Sequence, residues 1–105
     1  MPNIEHSFKA LADSTRREIV YMLAVTPSGL SMREISDQFP ASRQGVAKHL
    51  GVLEKAGLIQ IQSAGREKKC LLNPLPLREV MDWLNFFKSY WEDRLNELKA
   101  HGESD

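Results

Sequence analysis

Two amphipathic helical patterns joined by a very short turn constrain the fold of this 105-residue chain more than any other feature. The first pattern begins at Ser31, where Glu34 three residues later completes a capping box, and it ends at Pro40. The second begins at another cap residue, Ser42, and ends at Gly57. Two capped helices separated by a turn of a few residues predict a helix-turn-helix unit.

The second of these helices, residues 42–56, has two unlike faces. At about 100° per residue, its apolar side chains fall on one side and predict a buried stripe, which consists of Val46, Leu50 and Leu53. The opposite side is polar or small and consists of Gln44, Lys48, Gly51 and Lys55, with Arg43 and Ala47 on its shoulder. Amide and guanidinium groups read base edges in the DNA major groove, and lysines bind phosphates. A polar outer face taken alone is more often simply solvated, so the neighbouring segments must decide whether this face binds DNA.

Two glycines inside this helix add to the argument. Each glycine costs about 1 kcal/mol of helix stability relative to alanine. Gly51 lies centrally on the polar face, where a missing side chain gives a groove of DNA closer access to the helix. Gly45 lies to the side, and we expect it to allow close packing against the preceding helix.

The hydrophobic period changes after Gly57 and predicts a β-hairpin. Alternating residues either side of a turn at Gly65 place Ile59 and Ile61 on one face, and Cys70 and Leu72 on one face again. The turn carries the basic sequence "GREKK", so we expect Arg66, Lys68 and Lys69 to reach phosphates or the minor groove. A hairpin directly after a helix-turn-helix is the arrangement of a winged helix, with a wing at residues 63–69.

Helical spacing predicts three further helices, and the second of them is expected to begin at the cap residue Asp13. Two precede the helix-turn-helix, and one follows Pro76 after the hairpin. The apolar stripe of the first helix is Ile4, Phe8 and Leu11, that of the second is Ile19, Val20 and Leu23, and that of the last begins with Leu77 and Val80. The predicted order is ααααββα, a mainly α fold with a small β-hairpin (α+β). We expect one domain at residues 1–100, with a dimerisation helix at about 76–100 and a polar tail at 101–105.

The last helix is apolar over more than half of its circumference. A continuous stripe from Leu77 to Leu98 is joined by a second band, Trp83, Phe86 and Tyr90. Because a surface helix needs a stripe of only about 100°, we expect one band to pack on its own domain and the other on a second subunit. The expected dimer interface comprises Ile4, Phe8, Trp83, Phe86 and Tyr90. An entirely intramolecular aromatic core is the alternative.

Charge is unevenly distributed, although the formal net charge is +0. Residues 1–30 carry 3 basic and 3 acidic side chains, residues 31–74 carry 7 and 4, and residues 75–105 carry 4 and 7, giving 0, +3 and −3. A basic middle beside an acidic end is consistent with DNA binding at the middle of the chain.

The segments "FKALADSTRREIVYML" (8–23), "MREISDQFPASRQGVAKHLGVLEKAGLIQ" (32–60) and "GREKKCLLN" (65–73) resemble the ArsR/SmtB-like bacterial winged-helix repressors. The resemblance covers about four-fifths of the chain. It implies a homodimer that binds a near-palindromic DNA operator through the helix at 42–56, with the wing beside it. By position it assigns DNA contacts to Ser42, Arg43, Gln44, Lys48, His49 and Arg66. Ala47 stands where the family often has a hydroxyl residue, and His49 is also interpretable as a packed, hydrogen-bonded core histidine.

The sequence favours neither a metal site nor an enzyme. The helix before the turn lacks the cysteines of the family's metal sensors, and His6, His49 and His101 have no ligand spacing to one another. We therefore expect no metal and no cofactor. No phosphate-binding glycine loop and no hydrolase motif occurs, so we expect no catalytic residues.

The expected function is a repressor of transcription, and two alternatives stay open. One is the same fold gated by an unknown small-molecule effector or by oxidation of Cys70, although a lone cysteine on an inward strand face is more often a small buried apolar residue. The other is a winged-helix module for protein–protein assembly. No apolar run is long enough to span a membrane and no signal peptide is recognisable, so we expect a cytoplasmic protein.

Overall fold

A computed structural model describes residues 4–103. Within this range the chain forms six helices and three strands. The helices are α1 (Ile4–Leu11), α2 (Ser14–Ala24), α3 (Met32–Ser36), α4 (Arg43–Lys55), α5 (Pro74–Phe86) and α6 (Lys88–Glu103). The strands are β1 (Leu30–Ser31), β2 (Ile59–Ala64) and β3 (Glu67–Leu72). The mainly α architecture with a small antiparallel sheet confirms the predicted fold class.

Side chains at the predicted caps begin the helices of the central unit. Asp13 accepts hydrogen bonds from the amides of Thr15 and Arg16 at the start of α2. Ser31 and Glu34 form the complete capping box of α3. Their reciprocal bonds measure 2.9 and 3.0 Å and satisfy amides that have no partner within the helix. These local bonds explain why each helix starts where the sequence predicts.

The sheet has three strands in the order β1-β3-β2, whereas the sequence predicted only the two-stranded hairpin. The hairpin register pairs Ile61 with Cys70, and the additional strand β1 pairs Leu30 with Cys70 on the other side of β3. A two-residue strand is too short to produce an alternating pattern, so the sequence could not reveal it. Gly29 before β1 has φ +89°, and a Cβ there would lie 2.7 Å from the Cys70 carbonyl oxygen. Only glycine allows this close approach of the two backbones.

A single apolar core joins α2, α3 and α4 to the sheet. Its fully buried side chains come from every one of these elements and are Ile19, Leu23, Ile35, Val46, Leu50, Leu53, Leu58 and Cys70. The predicted inward stripe of α4 is completely buried. This packing fixes the direction in which the opposite face of α4 points.

The long C-terminal helix predicted at about 76–100 is two helices, α5 and α6, separated at Phe87. The Phe87 amide donates to the Leu84 carbonyl oxygen at 3.0 Å, a tighter turn than the α-helical pattern. Its ring packs edge-on against Trp83 and Phe86, with centroid separations of 4.9 and 5.1 Å. No proline or glycine marks this position, so the break was not predictable from local signals.

Helix α6 makes the molecule elongated. All of its side chains at positions 88–102 are exposed, and the molecule measures 64 × 31 × 23 Å. The helix continues to Glu103, so much of the predicted polar tail at 101–105 is helical, while residues 104 and 105 lie outside the described range. Among the helices described, none is long and apolar enough to cross a membrane.

Candidate nucleic-acid interface

The N-terminal turn of α4 presents polar side chains on a capped, rigid helix start. The Ser42 hydroxyl accepts a hydrogen bond of 3.1 Å from the Gly45 amide. Arg43 and Gln44 follow directly and are exposed. A helix N-terminus carries partial positive charge, so this turn attracts anions such as DNA phosphates. The Ser42 oxygen acts as the acceptor that caps the helix, and its hydroxyl proton remains available to donate to a phosphate oxygen.

The remaining outward face of α4 is cationic and unobstructed. Lys48 and Lys55 are exposed on the same side of the helix as Gln44. A Cβ added at Gly51, which lies between these lysines on the helix surface, would meet no atom within 4 Å. The face is therefore open along its length, and a partner can approach the α4 backbone closely.

Gly45 has a different environment from the one expected. A Cβ at this position would meet the Ser42 hydroxyl at 3.4 Å and the Ala41 side chain at 3.7 Å, both in the turn before α4. Close packing against α3 was therefore the wrong expectation. Gly45 instead lies next to Ser42, whose hydroxyl accepts a hydrogen bond from the Gly45 amide.

His49 points toward the junction of α1 and α2. Its Nδ1 lies 3.3 Å from Arg16 Nη1 and 3.9 Å from Asp13 Oδ1, and its side chain is 27% exposed. Because arginine only donates, Nδ1 is the acceptor, which leaves the proton of a neutral ring on Nε2. These contacts agree with the packed, hydrogen-bonded interpretation of His49. The Nδ1 side of the His49 ring therefore faces other residues of the protein.

A groove between α3 and α4 contains residues that the sequence reasoning missed. It has a volume of about 340 Å³ and is lined by Arg33 and Ser36 of α3 together with Arg43, Gln44 and Ala47 of α4. Arg33 is exposed and adds a second guanidinium beside Arg43. Helical spacing places Arg33 outside the α3 apolar stripe of Met32 and Ile35. This polar position was the sequence signal that could have identified Arg33 as a residue of the interface.

The wing places one arginine at its tip. Arg66 lies in the turn between β2 and β3 and is exposed. Lys69 is half-buried because its strand register pairs it with Ser31 of β1, beside α3. Lys68 remains exposed and lines a separate small hollow with Glu54. The structure thus separates the three basic wing residues rather than clustering them.

Cys70 is fully buried in the core on the inward face of β3. Desolvation, with a smaller contribution from the Glu54 carboxylate, raises the pKa of its thiol to about 11. Because the thiolate is the reactive form, a buried thiol with this pKa is a poor redox sensor. Within residues 4–103, no group of three or more histidine, cysteine or acidic side chains is placed to hold a metal ion.

The residues expected at the dimer interface separate into two environments. Ile4 and Trp83 are half-buried, and the Phe8 and Trp83 rings meet edge-on with centroids 5.5 Å apart where α1 packs on α5. Phe86 and Tyr90 are 78% and 57% exposed. They belong to a set of exposed apolar side chains on α5 and α6, called here the C-terminal apolar face, whose members are Met81, Leu84, Phe86, Tyr90, Trp91, Leu95 and Leu98.

Comparison with known proteins agrees with this geometry. Residues 11–62 match a family described as a helix-turn-helix domain. The chain is 38% identical over 84 residues to the uncharacterised HTH-type transcriptional regulator YuzN of Bacillus subtilis, covering 75% of this chain and 91% of that protein. It is 31% identical to an ArsR-like transcriptional regulator from Rhodococcus sp. RHA1, whose structure superposes with a TM-score of 0.71 over 98% of this chain and 95% of the other. The chain belongs to the ArsR-like winged helix-turn-helix transcriptional regulators.

A third relative is a named repressor. The chain is 31% identical over 80 residues to the transcriptional repressor SdpR of Bacillus subtilis, covering 75% of this chain and 87% of that protein. In this ArsR-like regulator, α3 and α4 are the helix-turn-helix and β2–β3 is the wing. The protein is accordingly a transcriptional regulator with a DNA-binding fold, a class whose members act by binding rather than by catalysis.

Proposed function

We propose that this ArsR-like regulator is a dimeric, sequence-specific DNA-binding repressor that acts in the cytoplasm without a catalytic site. The observation that carries the proposal is the outward face of α4. Arg43, Gln44 and Lys48 are exposed there beside the open surface at Gly51, while the opposite face is anchored in the core. This is the combination that a recognition helix in a major groove requires.

Different residues have different roles in the proposed interface. Arg43 and Gln44 read base edges, because guanidinium and amide groups make paired hydrogen bonds to guanine and adenine. Ser42, Lys48 and the wing residue Arg66 bind phosphates and set the register. Arg33, beside Arg43 in the α3–α4 groove, supplies a further phosphate contact. His49 borders the interface and positions α4 through its contact with Arg16.

The proposed dimer is supported by the exposed C-terminal apolar face. A second subunit packed there, and against the α1–α5 region with Ile4, Phe8 and Trp83, removes exposed aromatic and aliphatic surface from water. Twofold symmetry then presents two α4 helices to successive major grooves about 34 Å apart, which predicts a near-palindromic operator. Repression by blocking a promoter is supported by the likeness to SdpR.

The test is base-specific binding by the full-length protein. An operator is first selected from a pool of random-sequence duplexes, and binding is then measured by fluorescence anisotropy on that duplex and on single-base variants. Arg43→Ala or Gln44→Ala should reduce discrimination at one base pair by about 1–3 kcal/mol. The matched control is Arg78→Ala, an exposed arginine on α5 that should leave discrimination unchanged.

Two results would contradict the proposal. If no duplex sequence is enriched and the protein has no DNA affinity at low salt, a protein–protein assembly module becomes the better explanation of the fold. If DNA binds but both α4 variants keep the parental base preferences, α4 is not the reading helix. Repression itself is tested by a reporter gene placed behind the selected operator, whose transcription should fall when the protein is present.

A further inference from the structure

A second basic surface lies beside α4, away from the wing. It is a groove of about 380 Å³ between α1 and the C-terminal half of α4, called here the α1–α4 groove. Four cationic or titratable side chains line it, namely His6, Lys9, Arg16 and Lys55. None of the described residues that line this groove carries a carboxylate.

The wall of this groove is held in place by Arg16. Its Nε donates to the Ala10 carbonyl oxygen at 2.5 Å and its Nη2 donates to the Lys9 carbonyl oxygen at 3.3 Å. These bonds satisfy carbonyls at the C-terminal end of α1, so they tie α1 to α2. Because Arg16 is committed to α1, the side chains free to bind a ligand are His6, Lys9 and Lys55, all of which are exposed.

The groove is continuous with the proposed DNA-binding face. Lys55 lies on the same stripe of α4 as Gln44, Lys48 and Gly51, because these positions fall within about 60° of one another at 100° per residue. Lys55 also lines the α1–α4 groove. The rise of 1.5 Å per residue puts Lys55 about 16 Å from Gln44 along the helix axis, far enough to reach a different part of the duplex backbone.

We propose that the α1–α4 groove is an additional phosphate-binding surface, in which Lys9 and Lys55 contact the backbone of double-stranded DNA next to the major groove entered by α4. The inference rests on the proposed function and adds contacts from α1, an element outside both the helix-turn-helix and the wing. The groove is cationic, and its remaining lining residues, Ala10, Val52 and Ala56, are uncharged, which suits a polyanion. Such contacts carry no sequence information and raise affinity equally for every duplex.

The experiment measures how DNA affinity depends on salt. The probe is a 30-base-pair duplex from the region upstream of the protein's own gene, titrated by anisotropy with the full-length protein from about 50 to 300 mM KCl. Lys9→Gln and Lys55→Gln should each reduce the slope of log K against log [KCl] by about 0.9 per protomer, or about 1.8 for a dimer. Lys48→Gln tests the α4 face in the same way, and Lys99→Gln on α6 is the control that should keep the parental slope. Urea unfolding midpoints equal to that of the parent show that each variant is folded.

The outcomes separate this inference from the proposed function. Reduced slopes for Lys9→Gln and Lys55→Gln, with unchanged relative preference among duplexes, support the groove. If both variants keep the parental slope while Lys48→Gln loses it, the groove proposal is wrong and the α4 interface stands. If the parent protein itself binds no duplex at about 50 mM KCl, the proposed function fails together with the inference.

Discussion

Gly51 is unusual for a helix-interior residue, because the chain gives up helix stability there without any packing reason. Nothing surrounds the position that a Cβ would occupy, and φ lies in the ordinary helical region. A side chain would therefore be free of strain and would favour the helix. Packing does not explain the glycine, whereas the proposed approach of α4 to DNA does.

Replacing Gly51 with leucine should separate stability from binding. Leucine is a strong helix former, so the free energy of unfolding should rise by about 0.8 kcal/mol relative to glycine. DNA affinity should fall, because the side chain fills the open space on the face that we propose enters the major groove. Urea titration and anisotropy on one preparation measure both quantities. Unchanged DNA affinity would mean that this part of α4 does not come close to DNA.

Gly29→Ala is the matched counterpart, and we expect the opposite change in stability. Its φ of +89° is unfavourable for a side chain, and its Cβ would lie 2.7 Å from the Cys70 carbonyl oxygen. The free energy of unfolding should fall by more than 1 kcal/mol. A loss at Gly29 together with a gain at Gly51 shows that the two glycines serve different purposes.

At the scale of the helix, carboxylates at N-termini contribute to stability in a pH-dependent way. Desolvation alone would raise the pKa of Asp13, but hydrogen bonds from the amides of Arg16 and Thr15 outweigh it and lower that pKa below its ordinary value of 3.8. Hydrogen bonds from the Ser31 amide and hydroxyl likewise lower the pKa of Glu34 below 4.5. A depressed pKa in the folded state means that the native protein holds these protons less tightly than the unfolded chain does.

Stability should therefore decline as the pH falls below about 4.5, because protonation removes the acceptors that cap α2 and α3. Asp13→Asn keeps a good cap but cannot titrate, so its free energy of unfolding should change less between pH 5 and pH 3 than that of the parent protein. Asp93→Asn, in the middle of α6, is the control. Urea titrations at several pH values measure the difference, and identical pH profiles for Asp13→Asn and the parent would contradict the role of this cap.

At the scale of the molecule, the chain does not cover its own apolar surface. The radius of gyration is 18.0 Å, whereas a compact domain of this length has about 13 Å. The difference comes from α6, which carries Trp91, Leu95 and Leu98 into solvent beyond the core. A helix with such a face gains stability mainly by packing against a partner, and a second copy provides the same face by symmetry.

Placing a charge on this face should break the proposed dimer. Phe86→Glu should convert the protein to a monomer, because burying an unpaired carboxylate in an apolar interface is costly. Tyr21→Glu is the matched control, since Tyr21 is 66% exposed on α2 and lies outside the C-terminal apolar face. Sedimentation equilibrium of both variants and the parent measures the change in mass. A parent protein that is monomeric at tens of micromolar would contradict the dimer.

The amino-acid sequence by itself determined the central unit of this protein. Caps at Asp13, Ser31 and Ser42 and the period of the buried residues depend on neighbours a few positions away, so the helix starts and the buried face of α4 were predictable. The family resemblance rests on the same segments and was confirmed by the relatives. The DNA-contact residues and the dimer stay predictions.

Only the tertiary structure decided the features that depend on residues far apart in the chain. The strand β1 exists because β3 pairs with it, the break at Phe87 accompanies its packing against Trp83, and His49 points toward Arg16 rather than along the outer face. Lys9 and Lys55 line the same α1–α4 groove, although 45 residues separate them along the chain. Local patterns determine where helices begin and which face is apolar, whereas the packing of the core determines which distant side chains share a surface.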